Sequence, residues 1–172
     1  QLNNREGFLD QCRQLSLLSQ TLTFYFFDLD RFKQINDSKG HEVGDLVLQH
    51  ISTLLIKVLP KQTVVGRWGG DEFVICSTDD LEVSGVLDVL CNSFSESVYI
   101  KNKRVEVCMT IGSAHYPEDV EDIEEAIHAA DLAATYLKRN GDRGMVLRFN
   151  PELARMSELA SGLINILHEK NY

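Results

Sequence analysis

The sequence has few of the residues that mark specialised protein classes. It contains 3 prolines and 11 glycines in 172 residues, too few for a collagen-like or low-complexity chain. Its cysteines form no C-x-x-C pair and have no histidine at zinc-ligand spacing: Cys12, Cys76, Cys91 and Cys108. We therefore interpret them as reduced thiols in the core, and fibrous, disordered and zinc-binding classes are excluded.

Long apolar runs and excess positive charge are also missing. No apolar run approaches the ~18 residues that a membrane span needs, and no basic segment followed by an apolar stretch opens the chain. We expect a cytoplasmic domain without membrane contact of its own, whose parent protein could be anchored elsewhere. With 17 Lys and Arg against 26 Asp and Glu, the formal net charge of −9 argues against a nucleic-acid surface. The carboxylates could instead hold a metal ion for a small nucleotide.

The chain has the composition of one globular domain. Hydrophobic residues make up 44% and charged residues 25%, and this length suffices for one sizeable core. Helical periodicity predicts helices over 4–18, 44–59, 81–94 and 123–140, with a short helical turn over 32–37. Apolar runs and turn residues predict strands over 21–28, 63–68, 73–77, 98–100, 104–116 and 145–149.

Two predicted hairpins interrupt the alternation of strands and helices, one joining 63–68 to 73–77 and the other joining 98–100 to 104–116. We therefore expect an α/β fold with a central mixed β-sheet flanked by helices. Residues 1–150 are assigned to this single domain. Residues 151–172 are expected to form a C-terminal helix that could link to a following domain.

Two acidic turns carry the candidate chemistry. One begins at Asp28, directly after a buried strand, and the other is the turn from Gly69 to Phe73. Paired glycines let the backbone approach a ligand closely, and carboxylates are hard oxygen ligands suited to Mg²⁺. The alternative is that both are surface turns of an acidic protein. The apolar run before Asp28 weakens that alternative, because a carboxylate that ends a buried strand needs a partner.

Three motifs in order resemble those of the GGDEF family of diguanylate cyclases. The first resembles the family's D-x-D-x-F-K-x-x-N-D segment and reads Asp28-Leu29-Asp30-Arg31-Phe32-Lys33-Gln34-Ile35-Asn36-Asp37. The second resembles G-H-x-x-G-D and places Gly40, His41, Gly44 and Asp45. The third is Arg67-Trp68-Gly69-Gly70-Asp71-Glu72-Phe73. The resemblance covers essentially the whole chain and implies a nucleotide-cyclase, palm-like fold with the third motif on a β-hairpin.

The resemblance implies that two GTP molecules are condensed into cyclic di-GMP with release of pyrophosphate. Asp28, the Leu29 carbonyl and Asp71 would then hold Mg²⁺, with Mn²⁺ as an alternative. Such a reaction needs metal ions, because a 3′-hydroxyl attacks an α-phosphate while pyrophosphate leaves. Glu72 is expected either to help deprotonate that hydroxyl or to anchor Lys33, which would carry positive charge to the phosphates.

The resemblance also assigns the nucleoside pocket. Asn36 and Asp45 are the expected guanine readers, with His41 and Phe32 beside the substrate. A carboxylate such as Asp45 can accept from both N–H groups on the Watson–Crick edge of guanine, whereas adenine presents an acceptor there.

Lys138 resembles the family's second phosphate-binding lysine, but its neighbourhood departs from the pattern. The family usually has Tyr and Ala where this chain has Thr135 and Leu137. After Gly141 it usually has Arg or Lys followed by Asn, whereas this chain has Asp142 followed by Arg143. Arg143 could reach the phosphates from one position later.

Two functions remain open at this stage. The first is an active cyclase that works as a transient homodimer, since the product is two-fold symmetric. The second is a GTP-binding module with little turnover that regulates an attached EAL phosphodiesterase domain. A preceding attached region is expected in either case, because Leu2-Asn3-Asn4-Arg5 resembles only the last part of the family's opening motif. An attached EAL domain is expected because residues 152–172 look like the helical connection that leads into such a domain in tandem proteins.

Overall fold

The computed structural model describes residues 2–93 and 98–156. The helices are α1 (Arg5–Ser16), α2 (Phe32–Lys39), α3 (His41–Val58), α4 (Asp80–Ser93) and α5 (Ile123–Asn140). The strands are β1 (Leu22–Leu29), β2 (Val64–Arg67), β3 (Glu72–Ser77), β4 (Val98–Ile100), β5 (Lys103–Val105), β6 (Met109–Tyr116) and β7 (Val146–Arg148). No described helix is both long enough and apolar enough to cross a membrane.

Five strands form one central sheet in the order β2-β3-β1-β6-β7. The first three pairings are antiparallel and the β6–β7 pairing is parallel, so the sheet is mixed, as the sequence predicts. β4 and β5 form a separate two-stranded sheet. The expected α/β fold with a central mixed sheet flanked by helices is confirmed.

The sheet is covered on both faces because β1 is apolar on both faces. Tyr25 and Phe27 pack into a core that α3 and α4 complete. Phe24 and Phe26 point to the opposite face and pack into a second core with α1 and α5. Successive side chains of a strand alternate between faces, so this unbroken apolar run requires helices on both sides.

Helix α5 lies unusually close to the sheet at Gly112. A Cβ at that position would come within 1.8 Å of the Ala130 carbonyl oxygen and within 2.5 Å of the Ala134 nitrogen. The helix begins at the capping residue Asp122 and ends at Gly141, which has a left-handed φ of 83°. This close packing places the C-terminal turn of α5 near the end of β1.

Two sequence predictions need correction. The predicted strand over 104–116 is wrong as one strand, because β5 ends at Val105 and β6 begins at Met109 in a different sheet. Alternate burial continues through Val107, so the periodicity hides the change of sheet. The helix predicted from 44 starts earlier, at His41, because Gly40 with φ 92° both ends α2 and precedes α3.

The expected C-terminal helix is described only in part. Residues 151–156 are helical. The rest of the predicted helix lies outside the described residues.

Candidate active site

The two acidic turns lie side by side at one edge of the sheet. Asp28 is the cross-strand partner of Glu72 in the β1–β3 ladder. The hairpin between β2 and β3 is closed by the Trp68 N–H, which donates to the Glu72 carbonyl at 2.9 Å. The Arg67 guanidinium donates to the Gly70 carbonyl, with Nε at 2.9 Å. These bonds fix the turn that carries Asp71 beside the end of β1.

Gly69 leaves room in this turn for a carboxylate. A Cβ at position 69 would come within 2.5 Å of Glu72 Oε2. The Glu72 side chain therefore lies against the backbone of the turn rather than pointing away from it. Any larger residue at this position would displace the carboxylate.

Electrostatics favours a cation at this edge. Burial raises the pKa of Asp71, and the negative charge of Asp28 raises it further. Burial also raises the pKa of Glu72, and the charges of Asp131 and Asp71 raise it further. These carboxylates repel one another as anions, so a positive charge among them would be stabilised.

The donor set fits a hard divalent cation. Asp28 and Asp71 could supply carboxylate oxygens, and Leu29, the last residue of β1, could supply a carbonyl oxygen. Within the described ranges, no group of three or more His, Cys, Asp or Glu side chains converges as a metal site. The expected ligand set has only two such side chains, because its third ligand comes from the backbone.

Lys138 is the cation that the fold brings into this cluster. It lies in the last turn of α5, and its ammonium group forms an ion pair with Asp28. The Lys138 side chain is 19% exposed and the Asp28 side chain is 38% exposed. The contact joins residues 110 positions apart and results from the close packing of α5 on the sheet.

Asp131 also belongs to the cluster, and the sequence reasoning did not assign it. Burial raises the pKa of its carboxyl group. The Thr135 hydroxyl donates to Asp131 Oδ1 at 3.4 Å, so one of the departures from the family pattern has a local partner. Asp131 precedes Lys138 by seven residues, or about two helical turns, and this spacing could have identified it.

The residues expected at the nucleoside lie on α2 and α3. Asn36 Oδ1 is buried and has no hydrogen-bond partner among the described residues. A Cβ at Gly44 would come within 1.9 Å of that oxygen and 3.1 Å of Phe32 Cζ, so a larger residue there would force Asn36 to move. Asp45 follows on α3 and lines a cavity of about 880 Å³ with Arg67 and Gly69. A buried acceptor without a partner, such as Asn36 Oδ1, fits a ligand that donates N–H groups.

Two expected site residues make no contact with the carboxylates. Lys33 and His41 are exposed in the first turns of α2 and α3. Within the part of the chain that the structure describes, neither side chain forms a hydrogen bond or ion pair. The expected anchoring of Lys33 by Glu72 is therefore not present in this arrangement.

Arg143 is directed to a different partner from the one expected. Its guanidinium forms an ion pair with the buried carboxylate of Asp30. It also lines a cavity of about 720 Å³ between α2 and β5. Asp142 is exposed beside it.

Comparison with known proteins decides the family. The family model described as "Diguanylate cyclase, GGDEF domain" matches residues 1–144. The chain belongs to the GGDEF family of diguanylate cyclases. This assignment confirms the family and the enzyme class that the three motifs predict.

Individual GGDEF relatives agree with this assignment. The chain is 32% identical to cyclic di-GMP phosphodiesterase NbdA of Pseudomonas aeruginosa, over 99% of this chain and 24% of the relative. It is 30% identical to diguanylate cyclase A of Treponema denticola, over 76% of this chain and 36% of the relative. The chain thus spans about a quarter to a third of the length of these relatives.

A solved GGDEF structure also matches. The GGDEF domain of YfiN, also named TpbB, from Pseudomonas aeruginosa is 30% identical with a TM-score of 0.76, covering 87% of this chain and 97% of that one. The GGEEF domain of a diguanylate cyclase from Vibrio cholerae, described as active, is 27% identical with a TM-score of 0.72. The match covers 87% of this chain and 97% of that one.

Proposed function

We propose that this domain condenses two GTP molecules into cyclic di-GMP. In each half-reaction a 3′-hydroxyl oxygen forms a bond to an α-phosphorus, the bond to pyrophosphate breaks, and the hydroxyl proton is lost. The observation that carries the proposal is the pairing of Asp28 with Glu72 across β1 and β3, which sets the two acidic motifs side by side with Lys138.

Asp28, Asp71 and the Leu29 carbonyl are the groups that would hold Mg²⁺ or Mn²⁺. When bound, the cation supplies positive charge that neutralises the phosphate oxygens and aligns the displacement. Burial and then the charge of Asp28 raise the pKa of Asp71, which supports this role, since both disfavour the ionised carboxylate without a cation.

Glu72 is proposed to accept the proton of the attacking hydroxyl. Burial and the neighbouring carboxylates raise the pKa of Glu72 above its ordinary value, which makes it a stronger base. Lys138 would stabilise the phosphate oxygens from the end of α5. Lys33 is exposed at the start of α2 and would reach the phosphates by side-chain rotation.

Guanine is proposed to bind between α2 and α3. The unpaired Asn36 Oδ1 would accept from the base, and the carboxylate of Asp45 would accept from its Watson–Crick N–H groups. Phe32, packed beside Gly44, and the exposed His41 would line the nucleoside.

A second candidate is a GTP-binding module that regulates an attached domain. It is favoured by the pairing of Arg143 with Asp30, which engages a side chain that was expected to contact phosphate, and by relatives named cyclic di-GMP phosphodiesterases. In that case residues 1–150 would bind GTP, and residues 151–172 would connect to an EAL domain. An attached sensor, a cytoplasmic location and a transient homodimer remain proposals for the whole protein.

Pyrophosphate release separates the two candidates. The domain is incubated with GTP and Mg²⁺, and then with Mn²⁺, while GTP binding is measured in parallel. Sustained release supports the cyclase. Tight GTP binding without release supports the regulatory module, and the absence of GTP binding contradicts both.

A further inference from the structure

Asp30 is a buried carboxylate directly after the proposed metal ligand Leu29. Only 2% of its side chain is exposed. A buried charge is stable only when it is paired and hydrogen-bonded. Thr110 Oγ1 donates to Asp30 Oδ2 at 2.6 Å, and the Arg143 guanidinium pairs with Asp30 Oδ1. Both carboxylate oxygens are therefore occupied.

Thr110 connects this carboxylate to the segment that follows α5. It lies in β6 and is fully buried. Its hydroxyl accepts from the Gly144 N–H at 3.2 Å, which leaves the hydroxyl proton for Asp30. Arg143 and Gly144 are consecutive, so two neighbouring residues hold the same network. We call Asp30, Thr110 and Arg143 the Asp30 network.

The backbone at this point fixes the direction of the Leu29 carbonyl. The Asp30 N–H donates to the Cys108 carbonyl at 2.8 Å, toward the β6 side. In a trans peptide the carbonyl points opposite to the N–H. Since β1 lies between β6 and β3, the Leu29 carbonyl faces the β3 side, where the Gly69–Glu72 turn lies. The orientation of this one peptide thus decides whether Leu29 can act as a ligand.

We propose that Arg143 is a positioning residue that acts through Asp30 to hold the Leu29 carbonyl toward the acidic turn, and that it thereby sets the affinity for the divalent cation. The inference rests on the proposed role of Leu29 in the cyclase. It replaces the expected phosphate contact of Arg143. It also explains how Arg143, at a position where the family usually has Asn, contributes to the site.

The test measures Mg²⁺-dependent binding of a non-hydrolysable GTP analogue by calorimetry. Arg143→Met and Asp30→Asn are each expected to raise the Mg²⁺ concentration for half-saturation by about 10- to 100-fold, as loss of an outer partner of a metal ligand does. The double variant should be no worse than either single one, because both act in one network. Arg143→Lys keeps the positive charge, so its Mg²⁺ concentration for half-saturation should lie between those of the wild type and Arg143→Met.

Lys39→Met is the matched control. Lys39 lines the same cavity but is not part of the Asp30 network, so its Mg²⁺ dependence should equal that of the wild type. Binding of the analogue without Mg²⁺ should be unchanged in every variant.

Three results would overturn the proposal. Unchanged Mg²⁺ dependence in variants that are merely less heat-stable would show a structural role only. A loss of nucleotide affinity that occurs only in Arg143→Met, and that is larger for the triphosphate than for GMP, would show that Arg143 contacts phosphate. If Arg143→Met does not fold, Arg143→Lys and Asp30→Asn decide the question. Wild-type Mg²⁺ dependence in both of these variants would contradict the proposal. A wild-type protein without Mg²⁺-dependent binding would instead overturn the proposed function itself.

Discussion

Asp28 and Glu72 are direct cross-strand partners at the ends of β1 and β3. Cross-strand partners in an antiparallel pair have Cβ atoms about 4.5–5.5 Å apart, so these two carboxylates are held close by the backbone. Like charges at such positions are destabilising, and Lys138 partly offsets them. The site therefore keeps a concentration of negative charge at a stability cost, which is expected where a cation binds.

Neutralising Asp71 should stabilise the metal-free domain above acidic pH. The pKa of Asp71 is raised above its ordinary value of 3.8, so the folded state binds this proton more tightly than the unfolded state. Stability is then lost as pH rises through the interval above 3.8. Asp71→Asn removes this pH-dependent loss, so the free energy of unfolding should rise. The gain is up to about 1 kcal/mol, because the group is only partly buried.

Thermal unfolding in chelator, followed from pH 3 to 8 for wild type and Asp71→Asn, checks this prediction. The advantage of the variant should shrink as the pH falls and disappear well below pH 3.8, where the wild-type carboxyl is protonated in both states. If the variant is less stable than the wild type at pH 8, the ionised Asp71 carboxylate does not destabilise the metal-free domain, and the prediction is wrong.

Asp45→Ala should weaken GTP binding and erode discrimination against ATP. Losing a hydrogen bond to a charged group costs about 1.5–3 kcal/mol, or roughly 10- to 150-fold in affinity. Calorimetric titration with both nucleotides measures the effect, and Gln49→Ala, one turn further along α3 in the same cavity, is the control. GTP affinity equal to wild type would remove Asp45 from the base pocket.

Gly44→Ala should block the guanine pocket. Its Cβ would come within 1.9 Å of Asn36 Oδ1, so Asn36 must rotate away from its present position. Overpacking of this kind costs about 1–3 kcal/mol in stability. Gly85→Ala is the control, because a Cβ at that helical position meets nothing within 4 Å. Calorimetry should show GTP affinity lost in the first variant and kept in the second, and a full-affinity Gly44→Ala protein would exclude this pocket.

Product inhibition should be weak. The family's inhibitory R-x-x-D site would begin nine residues before Gly69, where this chain reads Pro60-Lys61-Gln62-Thr63. Neither the guanidinium nor the carboxylate needed to hold the phosphates and guanine of the product is present there. Titration with cyclic di-GMP measures this. Low-micromolar binding that GTP does not displace would contradict the prediction.

Sequence periodicity was sufficient for the architecture but not for every contact. The apolar run before Asp28 predicted a strand covered on both faces, and the structure confirms helices on both sides. The sequence did not predict that β5 and β6 are separate strands. Buried and exposed positions continue to alternate through Val107 although the chain passes from one sheet to the other.

The motifs predicted candidate site residues but not their contacts in the fold. Arg143 lies 113 positions after Asp30, and nothing in local spacing indicates that the two pair. The pairing depends on how α5 packs against β6 and on where the following segment returns to the sheet. Asp131 was within reach of sequence reasoning, since it shares a helical face with Lys138.

The most direct test of the account is cyclic di-GMP formation from GTP and Mg²⁺, measured across a wide enzyme dilution series. In the proposed mechanism each cleft would hold one GTP, so two protomers would have to meet and position their nucleotides for attack. Specific activity should rise with enzyme concentration, the dilute domain should be mostly monomeric, and Asp71→Ala should be folded but inactive. No cyclic di-GMP at any concentration, or wild-type turnover by folded Asp71→Ala, would contradict the account.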